Sequence, residues 1–293
     1  MIHPALVSGS VAVVTGGAAG IGLAAAKAFA QAGMQVCIAD LGVDRLAKAA
    51  AEIAAAGKTA ATAVLTLETD VSQVGDVQRL EAAVRDRFGG TDVLMNNAGI
   101  QPGSKIFGPP ENLAENWARI LGVNLWGVIH GVQTFVPGMI ARGRPGLVIN
   151  TGSKQGITTP PGDPAYNVSK TGVKAVTEAL QHELRNTPSC QLSAHLLIPG
   201  FVFTELAAQG RTEKPAAAWT PDQTVEFMMT RLQAGDFYIL CPDNDVPRAL
   251  DERRILWAAG DIVENRPPLS RWHPDYQQAF DAFSRDARLA KPE

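Results

Sequence analysis

Tyr166 and Lys170 are four positions apart, a spacing that sets both side chains on one face of a helix. A tyrosine phenol ionises near pH 10, too high for a base at neutral pH. An ammonium group beside it favours the phenolate and lowers that pKa. A phenol tuned in this way can take the proton of an alcohol while its hydride departs. Ser153 lies ahead of the pair in the chain, and its hydroxyl can donate to a substrate oxygen, a small version of oxyanion stabilisation. Each feature alone is commonplace. Y-x-x-x-K is usually a surface pair and a lone serine a turn residue, so it is the combination that points to chemistry.

Such residues need a scaffold that brings them together. Val11 to Val14 is a short apolar, β-branched run suited to a strand buried on both faces. Thr15 opens a turn holding Gly16, Gly17, Gly20 and Gly22, and Ile21 to Phe29 continues with the Ala-rich composition of a helix. Strand, glycine turn and helix together aim backbone N–H groups and a positive helix end at a phosphate. Glycine serves where a pyrophosphate must approach the backbone. The spacing is T-G-x-x-x-G-x-G rather than the commoner G-x-G-x-x-G. Gln35 to Ala39 reads as the second strand, with Asp40 at its end, close to the spacing at which an acid meets ribose hydroxyls. A carboxylate there favours a free 2′-OH and repels a 2′-phosphate, so NAD is expected over NADP. The same residue also fits a helix N-cap.

Further along, helices are expected at Val43 to Ala56 and Val74 to Phe88, with strands at Val64 to Glu68 and Asp92 to Met95. One long helix, Glu111 to Arg142, carries Asn124 in its apolar middle. Leu147 to Asn150 forms strand five and leads to Ser153. Asp163-Pro164 opens a helix reaching Asn186, with Asp163 as N-cap. Strand six is Leu192 to Ile198, ended by Pro199-Gly200. Phe201 to Pro221 has no clear period and reads as a mobile loop. Thr224 to Leu232 is helical, and Phe237 to Cys241 is a last short strand. This alternation predicts an α/β fold of the Rossmann type: a doubly wound, mostly parallel seven-stranded sheet flanked by helices. Ligands of such sheets bind at the carboxyl ends of the strands.

The chain has 293 residues, a formal net charge of −3 and a pI of about 6.0, with no basic block, which argues against nucleic acid or anionic membrane as partners. Cys37, Cys190 and Cys241 lie in apolar runs without metal-type spacing and read as buried free thiols. His130, His182 and His195 form no metal-like group. MIHPALVSG lacks the regions of a signal peptide, and no apolar run approaches the ~18 residues of a membrane span. A cytoplasmic protein is expected.

The set Thr15–Gly22, Asn96-Asn97-Ala98-Gly99, Ser153, Tyr166-x-x-x-Lys170 and Pro199-Gly200-x-x-x-Thr204 resembles the classical short-chain dehydrogenase/reductase family in order and rough spacing. The likeness covers about residues 8 to 243. It implies a tetrad of Asn124, Ser153, Tyr166 and Lys170, in which Tyr166 is the acid/base and Ser153 orients the substrate oxygen. Lys170 would bind the nicotinamide ribose and tune Tyr166, and Asn124 would hold a water in a proton relay. It also implies cofactor contacts from Gly16, Gly20, Ile21, Gly22, Asp40 and Leu41. Asp70 and Val71 would meet the adenine, and Asn97, Ala98 and Gly99 the adenosine side. Pro199, Gly200, Val202 and Thr204 would lie at the nicotinamide end.

The activity so implied is NAD-dependent interconversion of a secondary alcohol and a ketone, with an apolar or aromatic substrate, in a homodimer or homotetramer. An epimerase or dehydratase on the same fold, or a non-catalytic NAD-binding protein, are the alternatives; the intact tetrad speaks against both. Gly122 to Met139 and the ending beyond residue 243 also resemble an extended bacterial subgroup that includes dehydrogenases of lignin-type benzylic alcohols. Lys154 and Gln155 depart from the family pattern and are expected on the substrate side. Trp126 is expected in the core.

Residues 1–243 are therefore expected to form the catalytic domain and 244–293 a helical extension. Ile255, Leu256, Trp257, Ile262 and Val263 supply an apolar stripe, and Trp272, Tyr276, Phe280 and Phe283 a second helical face. These faces fit either packing on the core or a neighbouring subunit, or a lid facing Trp219 and Met228-Met229.

Overall fold

The computed structural model describes residues 3–57, 63–108, 113–208 and 210–288. Seven strands, β1 (Val11–Thr15), β2 (Gln35–Asp40), β3 (Val64–Glu68), β4 (Val93–Asn96), β5 (Gly146–Thr151), β6 (Leu192–Ile198) and β7 (Tyr238–Leu240), form one sheet. Their order is β3-β2-β1-β4-β5-β6-β7, and every pairing is parallel. The order reverses between β1 and β4, which opens a crevice at their carboxyl ends.

Alternate residues of β1 show how both faces are covered. Ala12 and Val14 join a core with Phe29 of α1 (Gly20–Gln31), Ile53 of α2 (Val43–Ala56) and Met228 of α9 (Pro221–Gln233). Val11 and Val13 join a second core with Leu80 of α3 (Val74–Phe88), Phe135 of α5 (Gly127–Ala141) and Leu184 of α7 (Pro164–Asn186). A strand covered on both sides reads as a continuous apolar run, as VAVVT does.

The helix expected from Glu111 to Arg142 is instead composite. Its first two positions lie outside the described residues. Helix α4 (Leu113–Leu121) passes into a π turn at Gly122–Trp126 and then into α5. The widened turn carries Asn124, as such bulges do at functional sites. By length and composition Leu113–Ala141 could cross a membrane, contrary to expectation. In this fold, however, Gly127, Val128, Gly131, Phe135, Val136 and Met139 of α5 are buried. Apolar length here is the length of a core helix. Trp126, expected in the core, is 52% exposed and packs on His130.

Three local expectations also change. Asp163 occupies the N-cap of α7 but its side chain caps nothing. Ser104 takes that role: its hydroxyl donates to Asp163 and accepts the Ala165 N–H at 2.8 Å. Cys37 and Cys241 are buried, with thiols pushed up to about 12 by burial, whereas Cys190 sits half-buried before β6. The stretch after β6 is not structureless. It contains α8 (Glu205–Ala208) and a bridge from Val202 to Trp219.

Beyond β7, α10 (Arg248–Val263) and α11 (Gln277–Arg288) pack on each other, and α10 packs on the short α6 (Gln155–Thr158). Trp257 stacks edge-on against Phe280 at 5.4 Å, and its indole N–H donates to Ser270 at 2.8 Å. The expected apolar stripe is only partly inward, since Ile262 and Val263 are 86% and 83% exposed. Trp272 and Tyr276 belong to two short 3-10 turns rather than to α11. Pro274 stands between the two aromatics and opens the second turn, so no continuous helix carries both.

Candidate active site

The glycine turn is held from below. The Gly16 N–H donates to Ala39 O at 2.8 Å, which lays the turn over the end of β2. Gly16 has φ +64°, and a Cβ on it would lie 2.8 Å from Ala98 Cα. A Cβ on Gly22 would lie 2.1 Å from Gly16 O. These two glycines allow close approach of chain to chain. Ala19 precedes α1 with no side-chain cap, and the first turn has no acid. The exposed N–H groups and positive end of α1 are thus left for an anion.

Asp40 is committed on both oxygens: Oδ2 accepts the Ala18 N–H at 2.9 Å and Oδ1 the Leu41 N–H at 2.8 Å. It therefore shapes the glycine turn as well as closing the cavity at that end. Asp70 holds a local turn, with Oδ1 accepting from the Ser72 N–H and hydroxyl at 2.9 and 2.7 Å. Thr15 Oγ1 accepts the Asn97 and Ala98 N–H groups at 3.0 and 3.2 Å, tying β1 to the end of β4. The Asn97 amide donates to Thr15 O and Gly16 O and accepts from Thr151 Oγ1 at 3.2 Å. Its side chain is the knot under the crevice floor.

A cavity of about 740 Å³ runs along this crevice. It brings together Gly16, Gly20, Ile21, Asp40, Leu41, Asp70, Val71, Asn97 and Ala98 around the glycine turn, and Gly99 beside Lys170. Ser153, Tyr166, Lys170, Pro199, Gly200 and Val202 complete the lining, with Thr204 against the glycine turn, where a Cβ on Gly20 would lie 3.1 Å from its Cγ2. Gly22 and Asn124 stand behind the wall. Gly22 sits under Gly16, and Asn124 is fully buried. The Asn124 amide accepts the Ile100 N–H at 2.8 Å and donates to Ile100 O at 2.9 Å and Ser169 Oγ at 3.3 Å. A Cβ on Gly99 would sit 3.5 Å from Asn124 Oδ1 and 3.7 Å from Lys170 Nζ, so the loop after β4 fits between them. No residue of 244–293 lines this cavity among the described residues, and Trp219 and Met228 are buried in the core under α1.

Across the cavity from the glycine turn, α7 presents Tyr166 and Lys170 side by side, with the ammonium 5.7 Å from the phenol ring centre. Lys170 Nζ donates to Thr151 O at 2.9 Å. Burial lowers its pKa to about 8. Burial also pushes the Tyr166 phenol up to about 12, against the pull of a hydrogen bond with Ser153 and aided by the negative Asp163. From the sequence the neighbouring ammonium is expected to lower this pKa; desolvation of the buried phenol outweighs that pull, and further positive charge beside it would be needed to drive ionisation. Ser153 Oγ accepts the Gln155 N–H at 3.1 Å, which fixes the hydroxyl at the mouth of α6.

Several lining residues escaped the sequence reading: Arg45, Gln101, Phe201, Glu205 and Leu206. Arg45 pairs with Glu205 at 2.6 Å across the cavity rim. Nothing in the spacing of residues so distant in the chain signals that contact. Lys154 and Gln155 do line the cavity, as expected. The Lys154 ammonium, however, lies between Asp243 and Asp251.

This chain is 33% identical over 267 residues to 1-deoxy-11-beta-hydroxypentalenate dehydrogenase of Streptomyces exfoliatus, covering 89% of this chain and 93% of the relative. It is 34% identical over 196 residues to D-beta-hydroxybutyrate dehydrogenase of Rhizobium meliloti (strain 1021), covering 67% and 72%. Its fold matches a short chain dehydrogenase/reductase from Burkholderia phymatum in complex with NAD, with TM-score 0.77 and 30% identity over 92% of this chain and 98% of that one. Residues 10–215 match the short chain dehydrogenase family. The chain belongs to the short-chain dehydrogenase family.

Proposed function

We propose that this protein is an NAD-dependent oxidoreductase that interconverts a secondary alcohol and a ketone, with Tyr166 as acid/base. The observation that carries this is the convergence of Ser153, Tyr166 and Lys170 at one end of a cavity whose other end is a glycine turn and uncapped helix. The relatives' printed names, dehydrogenases of hydroxylated acids, support the reaction class.

The residues fit a dinucleotide. The α1 N-terminus would hold the pyrophosphate, Asp40 with Leu41 the adenosine ribose, and Asp70 and Val71 the adenine. Tyr166 and Lys170 would hold the nicotinamide ribose, with Pro199, Gly200, Val202 and Thr204 beside the ring. NAD supplies a hydride acceptor and a positive ring when bound. Ser153 donates to the substrate oxygen and fixes its distance from Tyr166. Lys170 adds positive charge that favours the Tyr166 phenolate. Tyr166 takes the hydroxyl proton in oxidation and returns it in reduction. Asn124 braces Ile100, and with it the wall facing Lys170.

The lining favours an uncharged substrate end. Among the described lining residues, Arg45 is paired with Glu205 and Lys154 with two aspartates, while Lys170 is turned to Thr151 O. A substrate carboxylate would meet no uncommitted cation, which separates this chain's expected substrate from the acids in its relatives' names. Ile100, Phe201, Leu206 and Ala207 instead support an apolar or aromatic ketone. The same reading has residues 1–243 as the catalytic domain and 244–293 as an extension packed on it, in a cytoplasmic homodimer or homotetramer. The test is a panel of neutral and acidic alcohols and ketones read as NADH absorbance. Neutral aryl or alkyl secondary alcohols should turn over at least tenfold faster than hydroxy acids, by about 1.4 kcal/mol of preference. Turnover with NADP alone, or with no alcohol at all, overturns the reading.

A further inference from the structure

We propose that Lys154 is a positioning residue, fastening the C-terminal helix α10 to the catalytic turn so that the tail sets the placement of Ser153; this rests on the dehydrogenase reading above. Lys154 directly follows Ser153, and its backbone N–H donates to Pro199 O at 3.2 Å, joining the ends of β5 and β6. Its ammonium lies 3.2 Å from Asp243 Oδ2 and 2.5 Å from Asp251 Oδ2. The three side chains are 17%, 7% and 5% exposed.

Asp243 follows β7, and the same oxygen accepts the Phe201 N–H at 3.3 Å. Asp251 stands in the first turn of α10, with Arg254 3.7 Å from its other oxygen. A Cβ on Gly200 would lie 2.6 Å from Asp243 Oδ2 and 2.9 Å from Lys154 Nζ, so the clamp abuts the backbone that lines the nicotinamide end. Lys154 thus joins these segments, its backbone N–H reaching the end of β6 and its ammonium tying the segment after β7 to the tail. Removing that cation leaves Asp243 with the Phe201 N–H and Asp251 with the more distant Arg254, so the two buried carboxylates lose their shared partner and repel. The segments they stand on carry Ser153 and Gly200. Displacement of such groups by about 1 Å lowers rate by up to ~10²-fold without touching the reacting atoms.

The test uses the full chain as Lys154→Met, Lys154→Arg and Asp251→Asn, with the best alcohol of the panel. Lys154→Met and Asp251→Asn should each lower kcat by about 10- to 100-fold, with KM and NADH affinity moving by less than about threefold. Lys154→Arg, which keeps the charge, should recover most of the rate. Amide exchange followed by mass spectrometry should rise together over 151–157, 199–203 and 248–255. A lowered melting temperature with unchanged kcat in the folded variants overturns the proposal, as does an exchange increase confined to one segment. Should Lys154→Met fail to fold, Asp251→Asn decides by the same readouts, since it keeps Lys154 on Asp243. Wild-type protein inactive on the whole panel overturns the dehydrogenase reading and this proposal with it. An active wild type with unchanged variants overturns this proposal alone.

Discussion

The two ends of the cavity are built by different means. At the glycine-turn end the turn rests on Ala39 O and Gly22 packs on Gly16 O. The Asp40 carboxylate and the Asn97 amide hold the turn from the ends of β2 and β4, and the end of α1 is left open. At the reacting end the contacts are made by side chains from distant segments. Ser153, Tyr166 and Lys170 meet there over a clamp joining Lys154 to Asp243 and Asp251. The first end is closely packed, and an added Cβ at Gly16 or Gly22 would meet backbone at 2.8 or 2.1 Å. The second is an assembly, and it responds to charge.

Tyr166→Phe should separate the two ends most sharply. It removes the proton carrier and should lower turnover by ~10³-fold, while NADH affinity by fluorescence titration stays within a factor of a few. Retained turnover would show that another group moves the proton. Gly22→Ala probes the opposite end. Its Cβ would fall 2.1 Å from Gly16 O, so the turn must shift, at about 1–3 kcal/mol of overpacking. Weaker NADH binding and a lower melting temperature should appear together; loss of one without the other would break the link between turn and fold.

Titration distinguishes the ends as well. Burial holds the Lys170 pKa at about 8, below its ordinary 10.5. The unfolded chain therefore binds more protons than the folded one between these values, and this residue's contribution to stability rises with pH across that window. Tyr166, pushed up to about 12 from 10, acts in the opposite sense, and its contribution is lost as pH climbs from 10 to 12. Lys170→Met should therefore flatten the rise in urea midpoint between about pH 8 and pH 10, an effect on the order of 1–2 kcal/mol. An identical slope in both proteins would mean that Lys170 is not held in an uncharged-favouring environment. Asp40→Asn should have the smallest effect. Removing its charge should narrow the preference for NAD over NADP by about tenfold, and Leu41 supplies no cation to reverse it. A wild type that already prefers NADP would unseat Asp40 from the ribose role.

Much of the scaffold was legible because periodicity is local. The β1 run, the glycine turn and the Y-x-x-x-K face each follow from neighbours within a few residues. The parallel sheet follows from the alternation of strands and helices, while its strand order came only with the structure. Where long-range packing competes, local reading failed. The helix around Asn124 opens into a π turn whose Asn124 amide bonds the Ile100 backbone. The cap of α7 comes from Ser104 rather than from the adjacent Asp163. In the tail, aromatic spacing suggested one helical face, but Trp272 and Tyr276 lie in separate turns and Ile262 and Val263 face outward.

The sequence by itself determined the order of elements, the glycine turn and the identities of Ser153, Tyr166 and Lys170, because each depends on spacing within one element or on a strand end. Only the tertiary structure decided that Asn97 knots the crevice floor, that burial sets Tyr166 and Lys170 on opposite sides of their ordinary pKa values, and that Lys154 turns to Asp243 and Asp251. Desolvation and ion pairing depend on which distant segments come within a few ångströms, and no spacing along the chain encodes that distance.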